Sequence, residues 1–226
     1  MLRERFIATR QTLRAAGEPV DIALVLAVDC SGSIGREELA LQFRGYARAI
    51  TSNTFIAAVQ RGPVGRIAAT FVAWSDDSRQ DQVVPWTLID DLAAARRFAA
   101  DLLAAPDPIP GYTSISGAID FSRRLLLACG YPAPRRVIDV SGDGKNNHGR
   151  NVREARDEAV AAGLRINGLP IIAQEADIAD YYARNVIGGP AAFVSIVQDL
   201  ASFEQAALRK LVTEVAAVPD ELKQFA

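Results

Sequence analysis

The chain has 226 residues, half of them apolar, and a formal net charge of −2 at neutral pH. This length and apolar content allow one α/β domain with a large core. The near-neutral charge provides no basic surface for nucleic acid, and no apolar run approaches the ~18 residues that a membrane-spanning helix needs.

The two ends of the chain differ from its middle. In the first twenty residues, arginine and glutamate interrupt short apolar pairs, so the continuous apolar segment of a signal peptide is missing. We therefore expect a soluble, cytoplasmic protein, or a periplasmic or secreted one if a signal peptide has been trimmed. The pattern divides the chain into an N-terminal arm at 1–20, a folded domain at 21–217 and a C-terminal tail at 218–226. The oligomeric state stays open.

Strand patterns alternate with helix patterns throughout the folded domain. The predicted strands are residues 21–28, 66–74, 82–89, 136–141, 164–172 and 192–196. Such alternation is typical of a doubly wound, Rossmann-like α/β fold, so we expect a mostly parallel six-stranded sheet with helices on both faces. The first strand is apolar throughout, which predicts burial on both faces. The third contains Pro85, which cannot donate to a ladder and indicates a sheet edge.

The candidate site begins where the first strand ends, at Asp29-Cys30-Ser31-Gly32-Ser33. Asp29, Ser31 and Ser33 occupy every second position, so the turn can aim one carboxylate and two hydroxyls at one point. Oxygen ligands suit a hard cation such as Mg²⁺ or Ca²⁺, whereas zinc and copper prefer nitrogen and sulfur. A soft thiolate would be an unusual ligand here, so we expect Cys30 to point into the core.

A second carboxylate, Asp143, follows a later strand. Ligands of doubly wound sheets bind beyond the carboxyl ends of the strands, where the strand order reverses. If these two strands are neighbours at that point, Asp143 faces Asp29, and Thr113 reaches the same crevice from the start of a helix. The predicted metal ligands are Asp29, Ser31, Ser33, Thr113 and Asp143. Mg²⁺ is the preferred cation, with Mn²⁺ or Ca²⁺ as alternatives, because these side chains hardly saturate it and Mg²⁺ keeps several waters.

These motifs resemble a known family. Asp-x-Ser-x-Ser after the first strand, Gly-x-Thr-Ser before a helix and Asp-Gly after a later strand are similar to the von Willebrand factor type A (vWA) domain and its metal-ion-dependent adhesion site (MIDAS). The sequence around the motifs, at 83–90, 113–118 and 137–144, resembles a bacterial branch of uncharacterised function known as DUF1194. The resemblance covers roughly residues 20–217. One departure is Ser141-Gly142 before Asp143, where the family usually has a threonine.

The resemblance has functional implications. It implies that the two serines and Thr113 contact the metal, while the two aspartates act directly or through water. It also implies that a protein partner presenting glutamate or aspartate completes the coordination. The function that we expect is therefore a non-enzymatic, metal-dependent protein-binding module for adhesion or interaction.

Simpler roles stay open for single residues. The serines and Asp29 could form a turn and helix cap without metal, and Thr113 alone could be a helix cap. Asp139 alternates into a strand interior, which predicts a hydrogen-bonded structural carboxylate. The single histidine, His148, lies in a polar loop and is expected at the surface without a role.

The competing function is a Mg²⁺-dependent, phosphatase-like hydrolase that uses the same site. Gly142-Asp143-Gly144-Lys145 resembles the acidic magnesium motif of haloacid-dehalogenase-type phosphatases. Those enzymes need an aspartate nucleophile with a second acid two residues later, and Ser31 stands at that position. Without the second acid the hydrolase lacks its proton donor. Nor does the chain contain a Gly-x-Ser-x-Gly or phosphate-binding-loop motif.

Overall fold

The structure is a computed structural model that describes residues 17–172 and 175–216. Its strands are β1 (Ile22–Asp29), β2 (Ile67–Trp74), β3 (Gln80–Ile89), β4 (Arg135–Gly142) and β5 (Arg165–Pro170). Its helices are α1 (Arg36–Ile50), α2 (Asn53–Gln60), α3 (Leu92–Leu103), α4 (Ile115–Ala128), α5 (Val152–Ala161), α6 (Ile178–Asn185) and α7 (Phe203–Ala216), with a 3₁₀ turn at Leu200–Ser202.

The ends of the chain are described only in part. Of the predicted arm at 1–20, the structure describes residues 17–20, and the predicted tail at 218–226 lies outside the described residues. In the part that is described, no helix has the length and hydrophobicity needed to cross a bilayer.

β1 occupies the centre of the sheet, whose strand order is β3-β2-β1-β4-β5. It pairs in parallel with β2 and β4, and β4 pairs in parallel with β5. All eight residues of β1 are buried, which explains why its sequence is apolar until it reaches Asp29. β3 runs antiparallel to β2 at one edge, where Pro85 needs no ladder partner. The prediction of a doubly wound, mostly parallel α/β sheet is confirmed.

The strand count differs from the six that the sequence predicts. Within the described residues the sheet has five strands, and the segment predicted as a sixth, 192–196, contributes one isolated bridge beside β5. This bridge joins Gly168 to Val194. Two prolines explain the interruption, because Pro170 on β5 has no N–H to extend the ladder and Pro190 precedes the segment.

The side chains of β1 alternate between two apolar cores. Ile22, Leu24, Leu26 and Val28 face the core that α1, α2, α3 and α7 cover, and Ala23, Val25 and Ala27 face the core under α4, α5 and α6. In the first core, edge-to-face ring pairs join α1 to β2 and α7. The ring centroids of Phe43 and Phe71 lie 5.2 Å apart, and those of Tyr46 and Phe203 lie 5.3 Å apart. Because helices cover both faces, the carboxyl edge of the sheet is where loops can form a site.

A charged cluster lies inside the core beneath α7. Nζ of Lys210 is 2.5 Å from Asp139 Oδ1 on β4 and 2.9 Å from Glu214 Oε1, and all three side chains are buried. Asn167 on β5 donates to both Glu214 oxygens at 2.7 and 2.9 Å. Burial raises the pKa of Asp139, although the Lys210 ammonium opposes the shift. The contact of Asp139 is thus an ion pair with Lys210 rather than the hydrogen bonds that the sequence predicts, and this pair joins α7 to the sheet.

Candidate metal centre at the carboxyl edge of the sheet

The loops that carry the predicted site residues meet where the strand order reverses. β1 has β2 on one side and β4 on the other, and Val28 pairs with Ser141 in the β1/β4 register. The connections from β1 and from β4 therefore leave in opposite directions, and a crevice opens between them. This topology places Asp29 and Asp143 at the same edge of the sheet.

Asp29 is the innermost residue of the turn after β1. It is fully buried, and its Oδ1 accepts a hydrogen bond from the Ser31 N–H at 2.7 Å. The hydroxyls of Ser31 and Ser33 lie 3.1 Å apart. The Gly32 N–H donates to the carbonyl of Gly111 at 2.9 Å, which ties the turn to the segment before Thr113. A short stretch of chain thus supplies one carboxylate and two hydroxyls.

Asp143 reaches the same point from the loop after β4. The Ser33 hydroxyl donates to Asp143 Oδ1 at 2.8 Å, so the two loops are joined by one side-chain hydrogen bond. Asp143 is buried, and its pKa is raised, chiefly by that burial and further by the nearby carboxylates of Glu38 and Glu175. A cation at this point would offset the repulsion between these negative groups.

Thr113 is fixed through its backbone. Its N–H donates to the side-chain oxygen of Asn147 at 2.9 Å, and its carbonyl accepts the Asn147 N–H at 2.9 Å. The helix cap that Thr113 alone could provide belongs to Ser114, which accepts the Gly117 N–H at 3.2 Å. Because these contacts do not use the Thr113 hydroxyl, it is available to the site.

A cavity of about 170 Å³ opens at this point. Ser33, Thr113 and Asp143 line it, while Asp29 and Ser31 are buried and join it through Ser33. Its other lining residues are Gly144, Lys145, Asn147 and Glu175. The structure therefore places three of the five predicted residues around one small cavity and connects the other two to it by hydrogen bonds.

The sequence analysis did not assign Lys145, Asn147 or Glu175 to the site. Lys145 is held by Glu175 at 3.0 Å and by Asp177 at 2.9 Å. Proximity to Asp143 in the chain was the only signal for Lys145 and Asn147. No local signal identifies Glu175, which follows β5 and reaches the cavity through the fold.

The environment of Asp29 indicates whether a cation fits the site. Burial, with a smaller contribution from the charge of Asp143, raises the pKa of Asp29 to about 7. Among the described residues, neither Asp29 Oδ2 nor the nearby Tyr182 hydroxyl has a hydrogen-bond partner, and both are buried. A buried carboxylate oxygen without a partner costs free energy. A divalent cation coordinated directly or through water would remove that cost, so the residues fit a metal.

The donors at the site are all oxygen atoms. In the described part of the chain, no three His, Cys, Asp or Glu side chains gather as a metal-binding group. The site instead combines two carboxylates with three hydroxyls, a set that suits a hard cation and leaves positions for water or an external ligand. Cys30 takes no part, because it is buried in the core beneath α1. His148 lies at the surface, 3.2 Å from Asp77, with its ring stacked on Tyr112.

The site also requires a glycine at position 142, which the sequence analysis did not predict. A Cβ atom there would lie 2.7 Å from Asp29 Oδ2 and 2.8 Å from the Tyr182 hydroxyl. We expect Gly142→Ala to displace Asp29 and to destabilise the protein by about 1–3 kcal/mol. Gly144→Ala is the matched control, since its Cβ would meet Thr113 Oγ1 at an ordinary 3.5 Å. Thermal melts of the two chelator-treated variants test this prediction, and equal melting temperatures would contradict it.

Solved structures with a similar fold include proximal thread matrix protein 1 (PTMP1) from the mussel byssus. The TM-score is 0.65 at 13% identity, over 88% of this chain and 48% of that chain. A PTMP1 structure with a zinc-occupied MIDAS motif matches with a TM-score of 0.59 at 13% identity, over 87% and 46% of the two chains. This chain therefore spans about half the length of the PTMP1 chain.

A third structure covers a single domain. The vWF domain of the type V pili tip protein Mfa5 from Porphyromonas gingivalis has a TM-score of 0.61 at 9% identity, over 87% of this chain and 95% of that chain. At such identities the likeness shows the fold alone. No curated protein matches the chain. A model of the family described as "Protein of unknown function (DUF1194)" matches residues 19–219. The chain therefore belongs to the DUF1194 family, and its fold is that of a vWA domain.

Proposed function

We propose that the protein is a non-enzymatic binding module in which a divalent cation, held in the crevice between β1 and β4, takes a carboxylate from a protein partner. The observation that supports this most directly is the hydrogen bond from Ser33 to Asp143, because it joins the two loops beside a cavity lined by oxygen donors. The residues that would hold the cation are Asp29, Ser31, Ser33, Thr113 and Asp143. When bound, the cation supplies a positive centre for an external anion.

The number of donors supports an external ligand. Two carboxylates and three hydroxyls neutralise a divalent cation but leave at least one coordination position to water or to a partner. A carboxylate is the matching group, because an anionic oxygen at a partly coordinated cation forms a strong charge-assisted contact. The similar folds of a byssus matrix protein and a pilus tip domain are compatible with a role in adhesion or assembly.

Mg²⁺ remains our proposed cation, with Mn²⁺ and Ca²⁺ as alternatives, since all three accept oxygen ligands. The zinc in one PTMP1 structure shows that the related site of that protein accepts a divalent ion.

Thermal melts of chelator-treated protein with added Mg²⁺, Mn²⁺ or Ca²⁺ test the site. A cation at a hundred times its Kd stabilises the folded state by about 2.7 kcal/mol, which raises Tm by roughly 5–11 °C for a chain of this length. Ser33→Ala removes the hydroxyl that joins the two loops, so it should reduce the shift. Asp157→Asn, an exposed aspartate on α5, should preserve it. A wild-type protein that responds to none of the three cations contradicts the site.

The hydrolase alternative has a direct test. The acid that it would need two residues after Asp29 is replaced by Ser31, whose hydroxyl contacts Ser33. We expect no sustained turnover of a phosphate and ester panel with any of the three cations. Turnover that Asp143→Ala abolishes would replace the binding module with a metal-dependent hydrolase.

A further inference from the structure

An apolar groove lies beside the candidate metal centre. It has a volume of about 300 Å³ and runs between α1 and the segment that follows α3. Ile34, Leu39 and Phe43 line one wall, and Leu103 and Pro108 line the other. We refer to these residues as the α1 groove. Its volume is at the lower end of the range for ligand pockets, so it suits one or two side chains better than a large cofactor.

The α1 groove adjoins the metal centre through the chain itself. Ile34 directly follows Ser33, and consecutive Cα atoms lie about 3.8 Å apart. The hydrogen bond from the Gly32 N–H to Gly111 holds the opposite wall against the same turn. A peptide ligand whose carboxylate binds the cation could therefore place a neighbouring side chain in the groove.

The segment that forms the second wall exposes apolar side chains. In the described part of the chain, the three most exposed large apolar residues are Tyr112 at 65%, Ile109 at 63% and Leu103 at 55%. Leu103 lines the groove, and Ile109 stands between the lining residues Pro108 and Pro110, whereas the Tyr112 ring stacks on His148. Single exposed apolar residues are ordinary, but two at one apolar groove are typical of an interaction surface.

The charges at the rim favour an acidic partner. Two arginines and one aspartate line the groove. Arg36 pairs with Asp107 at 2.6 Å, but both side chains are largely exposed, so the pair is weak. Arg44 makes no ion pair with any of the described residues. The rim therefore has a positive balance next to a site that itself calls for an anion.

We propose that the α1 groove is a second contact of the same binding surface. The partner is a protein segment that presents a carboxylate to the cation and, one to three residues away, inserts a leucine, isoleucine or phenylalanine side chain into the groove. We take this spacing from Ile34, which lines the groove and directly follows Ser33, because one to three residues of an extended segment span about 3–11 Å. This inference rests on the proposed function and adds the chemistry of the partner. Burial of one such side chain corresponds to a roughly 10- to 100-fold gain in affinity.

Selection from a phage-displayed library of random twelve-residue peptides tests the inference. The immobilised full chain is loaded with saturating Mg²⁺, and bound phage are eluted with chelator. We expect enriched peptides to combine glutamate or aspartate with a large apolar residue at a fixed spacing. Enriched acidic peptides without an apolar preference would overturn the inference and leave the proposed function intact. If chelator releases no enriched peptide, both are overturned.

Variants of the groove make the test quantitative. An enriched peptide should bind Leu103→Gln and Ala40→Trp about 10- to 100-fold more weakly. The first makes an apolar wall polar, and the second fills the groove, since Ala40 on α1 also lines it. Leu127→Gln is the matched control, since Leu127 on α4 is also exposed, at 52%, but lies outside the groove. All three should keep the Mg²⁺-induced Tm shift. Equal peptide affinity in Leu103→Gln and Leu127→Gln would contradict the second contact.

Discussion

Asp29→Asn is expected to raise the stability of the chelator-treated protein and to abolish its response to divalent cations. The wild-type carboxylate is fully buried, its Oδ2 has no partner among the described residues, and burial raises its pKa to about 7. From the ordinary value of 3.8, this shift corresponds to at most about 4 kcal/mol. Asparagine keeps the oxygen that accepts the Ser31 N–H and removes the buried charge. We therefore expect Tm to rise by several degrees without metal.

The pH dependence of this difference follows from the direction of the shift. An acid with a raised pKa binds more protons in the folded state than in the unfolded chain between pH 3.8 and about 7. The stability of the wild type therefore falls as pH rises through this window, and the variant lacks this contribution. The advantage of Asp29→Asn should appear near pH 4 and become constant above pH 7.

Thermal melts across this pH range, with chelator present, check the prediction. Asp21→Asn is the matched control, because Asp21 is also buried but accepts hydrogen bonds from the Val64 and Gly65 N–H groups at 3.0 and 2.8 Å. Removing that satisfied carboxylate should destabilise the protein. If the chelator-treated Asp29→Asn protein is less stable than the wild type at pH 8, the Asp29 carboxylate stabilises the metal-free fold. That result would contradict its role as a metal ligand that costs stability.

Lys210→Met should destabilise the protein by about 3–5 kcal/mol, because it leaves Asp139 and Glu214 as buried charges without a cation. This loss lowers Tm by roughly 6–20 °C for a domain of this size. The cost reflects the uncompensated carboxylates rather than the lost methylene packing, since methionine replaces most of the lysine stem.

Two further variants separate these contributions. Arg209→Met changes an exposed residue of the same helix and should alter the free energy of unfolding by no more than about 0.5 kcal/mol. Adding Asp139→Asn and Glu214→Gln to Lys210→Met removes both carboxylates and should recover part of the loss. Urea denaturation measures each free energy. Equal midpoints for Lys210→Met and Arg209→Met would disprove a role for the buried cluster.

The centre of the fold could be predicted from the sequence because its signals are local. The uninterrupted apolar run of β1 specifies a strand buried on both faces, and Pro85 specifies an edge. The position of the candidate site follows from a general rule of doubly wound sheets, which brings the turn after Asp29 to the loop of Asp143. These predictions needed the order of elements and not the identity of distant contacts.

Other features depend on contacts between distant parts of the chain. Lys210 and Glu214 stand four residues apart, the spacing of an ordinary surface pair on a helix, and only the approach of Asp139 reveals a buried cluster. The segment at 192–196 has the composition of a strand, but Pro170 on the neighbouring strand limits its pairing to one isolated bridge. Likewise, the need for a glycine at position 142 arises from Asp29 and Tyr182 together.

Both edges of the sheet are poor templates for strand addition. On one side, β3 contains a proline, has an irregular register with β2 and exposes polar residues near its start. On the other, isolated bridges from Gly188 and Val194 occupy part of the outer side of β5. A partner thus finds few free backbone groups with which to extend the sheet, and copies of the protein are disfavoured from joining edge to edge. Many copies of such a domain can therefore be held close together without pairing through their sheets, and binding is left to the loops.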